Sequence, residues 1–155
     1  MVITDELFRL ADAFAKHQLE YALCGGLAVA IHGRPRLTLD IDFVVSSEDM
    51  AKAIEIAGTV GFDEASGWIS LPSSNTGIDR LFRLNKFSGS DFLTLDLLEA
   101  DSSENAIFKD RERIQIEGRV IQLLSRTALI QMKNNSDRTK DRLDVELLSD
   151  ESDER

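Results

Sequence analysis

Leu7, Leu10, Ala11 and Phe14 recur three or four positions apart, the spacing of one helix face. Thr4 stands where an N-cap would, with Asp5 and Glu6 favourable in the first turn. The period then changes. Glu20-Tyr21-Ala22-Leu23-Cys24 reads as a short buried strand, and Leu27 to His32 as a short helix stopped by Gly33. Residues 37–45, apolar and β-branched, predict a strand. Ser46 or Ser47 caps a helix running to about Val60, whose apolar face is Ala53, Ile54, Ala57 and Val60 and whose end is Gly61. Strands follow over 68–71, 80–84 and 92–98, separated by polar turn-rich stretches at 72–77 and 88–91. Residues 113–116 and 119–123 form a hairpin joined at Glu117-Gly118. Ser125 opens a helix over 126–133, Asn134-Asn135-Ser136 interrupts it, and another runs from about Asp137 to Leu148. No repeat or linker divides the chain. The expectation is one α/β (α+β) domain over 1–148, a mixed sheet flanked by helices with a helical C-terminal segment.

One strand breaks its own pattern. In Thr38-Leu39-Asp40-Ile41-Asp42-Phe43-Val44-Val45, two acids stand two residues apart in an apolar run. Positions i and i+2 of a strand share a face, so Asp40 and Asp42 stand side by side, with Leu39, Ile41 and Phe43 on the opposite face. Like charges that close repel and call for a compensating cation. Mg²⁺, or Mn²⁺ in its place, fits, because Mg²⁺ takes one or two carboxylates plus substrate phosphates. Just upstream, Gly25-Gly26 allows a tight turn and close backbone approach to a ligand, and it opens a helix whose first N–H groups suit a phosphate.

Asp96 repeats the anomaly in a second apolar strand, sharing a face with Thr94 and Leu98. Two carboxylates from one strand and one from a neighbour can hold two metal ions, which activate an attacking oxygen and steady a leaving phosphate. The bland alternative is three unrelated acids on sheet edges.

Composition narrows the setting. The chain has 155 residues, long enough for one proper core, and a formal net charge of −10. That charge argues against broad nucleic-acid binding, which needs a basic face. Ser149 to Arg155 carries no apolar residue and reads as a disordered acidic tail. The single cysteine excludes an internal disulfide or a cysteine-based metal site. No apolar run is long enough to span a bilayer and no secretory pattern opens the chain, so a cytoplasmic location and no membrane partner are expected. His17 reads as a surface residue, His32 as a helix-end residue, and Cys24 as a core thiol. Trp68 is expected in core or sheet packing. Arg80, Arg83 and Lys86 are expected on an exposed strand face, where they could line an acceptor groove.

In order and spacing, Gly25-Gly26, the short helix, Asp40-x-Asp42 and the later Asp96 resemble the nucleotidyltransferase superfamily with the polymerase-β-like core. His32-Gly33-Arg34-Pro35-Arg36-Leu37-Thr38-Leu39-Asp40-Ile41-Asp42, and the segment from Lys133 through Arg138-Thr139-Lys140-Asp141-Arg142-Leu143-Asp144, are similar to the nucleotidyltransferase toxins of type IV (abortive-infection) toxin–antitoxin systems and their small relatives. The resemblance runs from about Tyr21 to Asp144. It implies that Asp40, Asp42 and Asp96 bind the metals and that Gly25 and Gly26 touch the triphosphate of a nucleoside triphosphate. Lys133, Lys140 and Arg36, with Arg34 as an accessory, would neutralise that triphosphate. Asp141 and Asp144 match an acidic pair of the toxins. The transferred group would be a nucleoside monophosphate. The acceptor would be an RNA end, a tRNA among them, or a protein hydroxyl, with a cognate antitoxin as a further partner. Larger relatives carry an additional helical domain that shapes the acceptor site, and little follows the core here.

Two other classes stand beside the enzyme. One is a non-catalytic module that binds a nucleotide without turnover. The other is an antitoxin-like protein that contacts a partner through its acidic tail. Retention of all three acids favours catalysis, and label transfer from a nucleoside triphosphate separates the classes.

Overall fold

The computed structural model describes residues 1–33, 39–72, 75–133, 145 and 148–149. The first helix, α1 (Ile3–Lys16), buries Leu7, Phe8, Leu10, Ala11 and Phe14, as the spacing requires. Its cap position is Val2, not Thr4, which lies inside the first turn. Asp5 and Glu6 still complement the helix dipole there. Phe14 packs on Tyr21 and Phe43 with ring centroids 5.5 and 5.4 Å away, and Tyr21 lies 4.6 Å from Phe43. This aromatic trio fastens α1 to one face of the sheet, each pair adding about 1 kcal/mol beyond the area it buries.

After β1 (Ala22–Cys24) and α2 (Gly25–Ile31) comes β2 (Asp40–Ser46), then a 3₁₀ turn and α3 (Met50–Thr59). The next strands are longer than their sequence signals: β3 (Glu64–Ser70), β4 (Ile78–Ser88) and β5 (Asp91–Ala100). The hairpin β6 (Arg111–Ile116) and β7 (Arg119–Leu124) turns at Glu117 and Gly118, both with positive φ, and α5 (Arg126–Lys133) follows. Ser125 Oγ accepts from Ala128 N at 3.1 Å, as expected of its cap. The helix expected from about 137 to 148, and the tail after 149, lie outside the described residues apart from Val145, Leu148 and Ser149.

All seven strands form one mixed sheet in the order β3-β4-β5-β2-β1-β7-β6. β2 sits at its centre, parallel to β5 and antiparallel to β1. Ile41 and Phe43 are fully buried on the α1 side. The other face of β2 begins with the half-buried Asp40 and Asp42 and becomes apolar at the buried Val44. The acids therefore stand where cover ends. Leu39, expected to share the buried face, precedes β2 and is 73 % exposed. Among the described residues, no helix is long and apolar enough to cross a membrane.

One element is invisible in the hydrophobic pattern: α4 (Ala106–Lys109), a single turn held by Asn105. Asn105 Oδ1 accepts from Ile107 N and Phe108 N, both at 3.0 Å, and Nδ2 donates to Thr76 O at 2.7 Å and Asp101 Oδ1 at 2.9 Å. The side chain is buried, so removing it strands several partners at once. Asn105→Ala should cost about 2–3 kcal/mol, read as a lower midpoint in urea with an unchanged slope.

Candidate active site

The parallel register of β2 with β5 sets Asp42 directly across from Asp96 and Asp40 across from Thr94. Two acids of β2 and a third far along the chain on β5 thus share one face of two central strands. On the other side, β1 places Cys24 opposite Asp42, and the chain turns immediately into Gly25. Gly25 has φ +69°, a conformation that glycine adopts without penalty. A Cβ there would run into Asp42 Oδ2 and come within 2.8 Å of Asp42 Cγ. The glycine turn therefore lies against the carboxylate itself. Gly26, buried, continues the first turn of α2, where helix N–H groups have no partner within the helix.

The third neighbour is Arg83 on β4, whose register also faces Asp96. Arg83 Nε donates to Asp96 Oδ1 at 2.8 Å and Nη2 to Oδ2 at 3.0 Å, a two-point fork. The Asp96 hydrogen bond holds the guanidinium above its ordinary pKa, against the pull of partial burial. The charges of Asp96, Asp40 and Asp42 act in the same direction, so the three acids and Arg83 form one electrostatic cluster. Further along the same face, Thr94 Oγ1 donates to Asn85 Oδ1 at 2.8 Å, and Asn85 Nδ2 donates to Ser66 Oγ at 2.9 Å.

Arg80, Arg83 and Lys86 do not share one exposed face. Arg80 stacks 3.6 Å over the Trp68 ring and pairs with Glu99 at 2.8 Å. Trp68 itself is not core but 44 % exposed, edge-on to Phe82. Lys86 turns inward to Glu6, 2.8 Å away, and to the Val60 carbonyl. A slip in strand register between Ile78 and Leu81, together with the even spacing of 80 and 86 against 83, separates the three. His32 is a tie rather than a catalyst: its Nε2–H donates to Leu124 O at 2.9 Å in a buried position. Cys24 is buried in the core, as expected. Lys133 ends α5, and its side chain lies outside the described residues, as do Arg34, Arg36, Lys140, Asp141 and Asp144 entirely.

The donor set can be compared with what a divalent ion needs. Asp40 and Asp42, adjacent on one strand face beside a glycine turn, suit a Mg²⁺ completed by substrate phosphates. Asp96 differs, since both its oxygens face Arg83. Among the described residues, no three His, Cys, Asp or Glu side chains converge on a common metal position.

Comparison with solved structures decides the fold. A protein of Thermotoga maritima provisionally classed as a nucleotidyltransferase superposes with a TM-score of 0.61 at 16 % identity, covering 99 % of this chain and 94 % of the other. The fold is that of the nucleotidyltransferase superfamily. The lincosamide antibiotic adenylyltransferase LnuA, solved with lincomycin bound, matches with a TM-score of 0.61 at 20 % identity over 94 % of this chain and 95 % of its own. ANT(2")-Ia, solved with adenylyl-2"-tobramycin, matches with a TM-score of 0.56 at 18 % identity over 90 % and 83 %. No protein-family model and no curated protein matches the sequence.

Proposed function

We propose that this chain is a divalent-cation-dependent nucleotidyltransferase that moves a nucleoside monophosphate from a nucleoside triphosphate to a hydroxyl. The observation that carries the proposal is the β2–β5 register, which sets Asp42 against Asp96 beside the Gly25 turn. Asp40 and Asp42 would hold the ion, and the bound ion would supply charge neutralisation at the triphosphate. Gly25 and Gly26 let the backbone approach that triphosphate, and Arg83 presents a fixed positive charge on the same face. Arg36, Lys133 and Lys140, with Arg34 as an accessory, are proposed to add positive charge, and Asp141 and Asp144 to assist. In the step itself the acceptor hydroxyl gives up its proton to solvent, its oxygen bonds to the α-phosphorus, the bond from that phosphorus to the α–β bridging oxygen breaks, and pyrophosphate leaves.

A small hydroxyl-bearing molecule is the acceptor class that two observations support. LnuA and ANT(2")-Ia are named for or solved with small molecules of this kind, and a formal net charge of −10 opposes a long polyanion. An RNA end or a protein hydroxyl, in a cytoplasmic toxin–antitoxin setting, forms the second arm of the test. The chain is incubated with each α-³²P-labelled nucleoside triphosphate, Mg²⁺, and in turn small polyols and amino sugars, RNA, and protein. Label is expected on one acceptor class and is expected to vanish in Asp42→Ala. Triphosphate binding with no transfer to any class would make this a binding module and end the proposal.

A further inference from the structure

Resting on that reading, we propose that Arg83 serves as a built-in cation of the site: it takes the place of one metal ion on Asp96, leaving a single divalent ion on Asp40 and Asp42. The sequence leads to the expectation of two metal ions held by all three acids; the Arg83 fork on Asp96 is what argues for another division.

A carboxylate engaged on both oxygens by one cation has fewer lone pairs and less uncompensated charge to offer a metal ion. Both Asp96 oxygens accept from the Arg83 fork, at 2.8 and 3.0 Å. This is not a loose surface pair. The two residues face each other in the β4–β5 register, inside a seven-stranded sheet, and the Asp96 side chain is only 6 % exposed. An incoming ion would have to outcompete this paired guanidinium and leave Arg83, itself only partly exposed, without its carboxylate. The fork also has an orientation. The Arg83 side chain keeps 38 % of its surface exposed against 6 % for Asp96, so the pair turns its positive end outward. A phosphate approaching this side of the face meets guanidinium where three bare acids would have shown it negative charge. Arginine is suited to that task, since it stays charged at all working pH values and its guanidinium carries N–H donors beyond those that Asp96 takes. Neutralising charge on transferred phosphoryl oxygens is a role shared by metal ions and arginine. Thr94 and Asn85 bond to each other beside the pair, so the polar strip that continues along the face is neutral.

The test counts ions rather than turnover. Mn²⁺ is titrated into the full chain with a non-hydrolysable triphosphate and followed by electron paramagnetic resonance. The wild-type chain should take up about one ion, and Arg83→Gln, which opens Asp96, about two. Adding Asp96→Asn to Arg83→Gln should return the count to one. Asp96→Asn alone should leave the wild-type ion in place. A wild-type count of two overturns the assignment while nucleotidyl transfer stands, and so does loss of the ion in Asp96→Asn or an unchanged count in Arg83→Gln. If Arg83→Gln does not fold, the wild-type count and the Asp96→Asn count still decide. No bound ion and no labelled product in the wild-type chain overturns both this assignment and the function on which it rests.

Discussion

Asp42→Asn should lower nucleotidyl transfer by about 10³-fold or more while the protein melts at the same temperature or a few degrees higher. The substitution keeps the shape of the side chain and removes only its charge. That shape matters locally, because the carboxylate sits against the Gly25 turn and opposite Cys24 and Asp96. The charge matters chemically, because it is half of the pair that would hold the ion. It also works against the fold. Asp40, Asp42 and Asp96 are clustered on two adjacent strands, with the Arg83 fork closed on Asp96. Removing one negative charge relieves repulsion that the folded state otherwise carries. Functional groups kept at a cost to stability show this opposite movement of activity and melting temperature, whereas structural groups lose both together. Asp40→Asn should move in the same directions. A labelled-transfer assay and a thermal scan on the same preparation suffice. A clear drop in melting temperature would show that the acids are structural, and undiminished transfer would remove them from the reaction.

The parts of this site that could be read from the sequence are those whose geometry is local. Asp40 and Asp42 had to share a face because strands alternate, and Gly25-Gly26 had to turn because the chain passes there from an apolar strand to an apolar helix. The hairpin at Glu117-Gly118 and the cap at Ser125 are local in the same sense. The parts that escaped depend on register between distant strands. Arg83 looks like any exposed strand cation until β4 is aligned on β5 and its side chain meets Asp96. Lys86, three residues on, lands on the opposite face and buries its charge against Glu6 on α1, 80 positions away in the chain. Asn105 is conspicuous only once the loop carrying Thr76 is folded back on it. Asp96 fell between the two kinds. Its misfit in an apolar strand was visible, but only the parallel pairing shows that it faces Asp42 and not a sheet edge. The cations expected after Thr139 and around Pro35 lie outside the described residues.

Gly25→Ala should weaken both fold and reaction, and the two losses can be separated. At φ +69° an alanine carries backbone strain, and its Cβ would also collide with Asp42 Oδ2 and approach Cγ to 2.8 Å. Strain of this kind costs about 1–3 kcal/mol. The collision has a cheaper outlet, because the atoms struck belong to the end of a side chain that can swing aside. Swinging aside, however, moves the carboxylate that would hold the ion in the proposed reaction. A displacement of about 1 Å in a reacting assembly is enough for about 10²-fold in rate. Gly89 supplies the control. It also has positive φ, +62°, in the turn between β4 and β5, but a Cβ there meets nothing within 4 Å. Gly89→Ala should therefore show the backbone cost alone, a lower melting temperature with full transfer activity. Gly25→Ala should show that cost and lose transfer as well. If the two variants lose stability equally and both keep their activity, Asp42 tolerates displacement, and the close fit between the glycine turn and the carboxylate has no part in the chemistry.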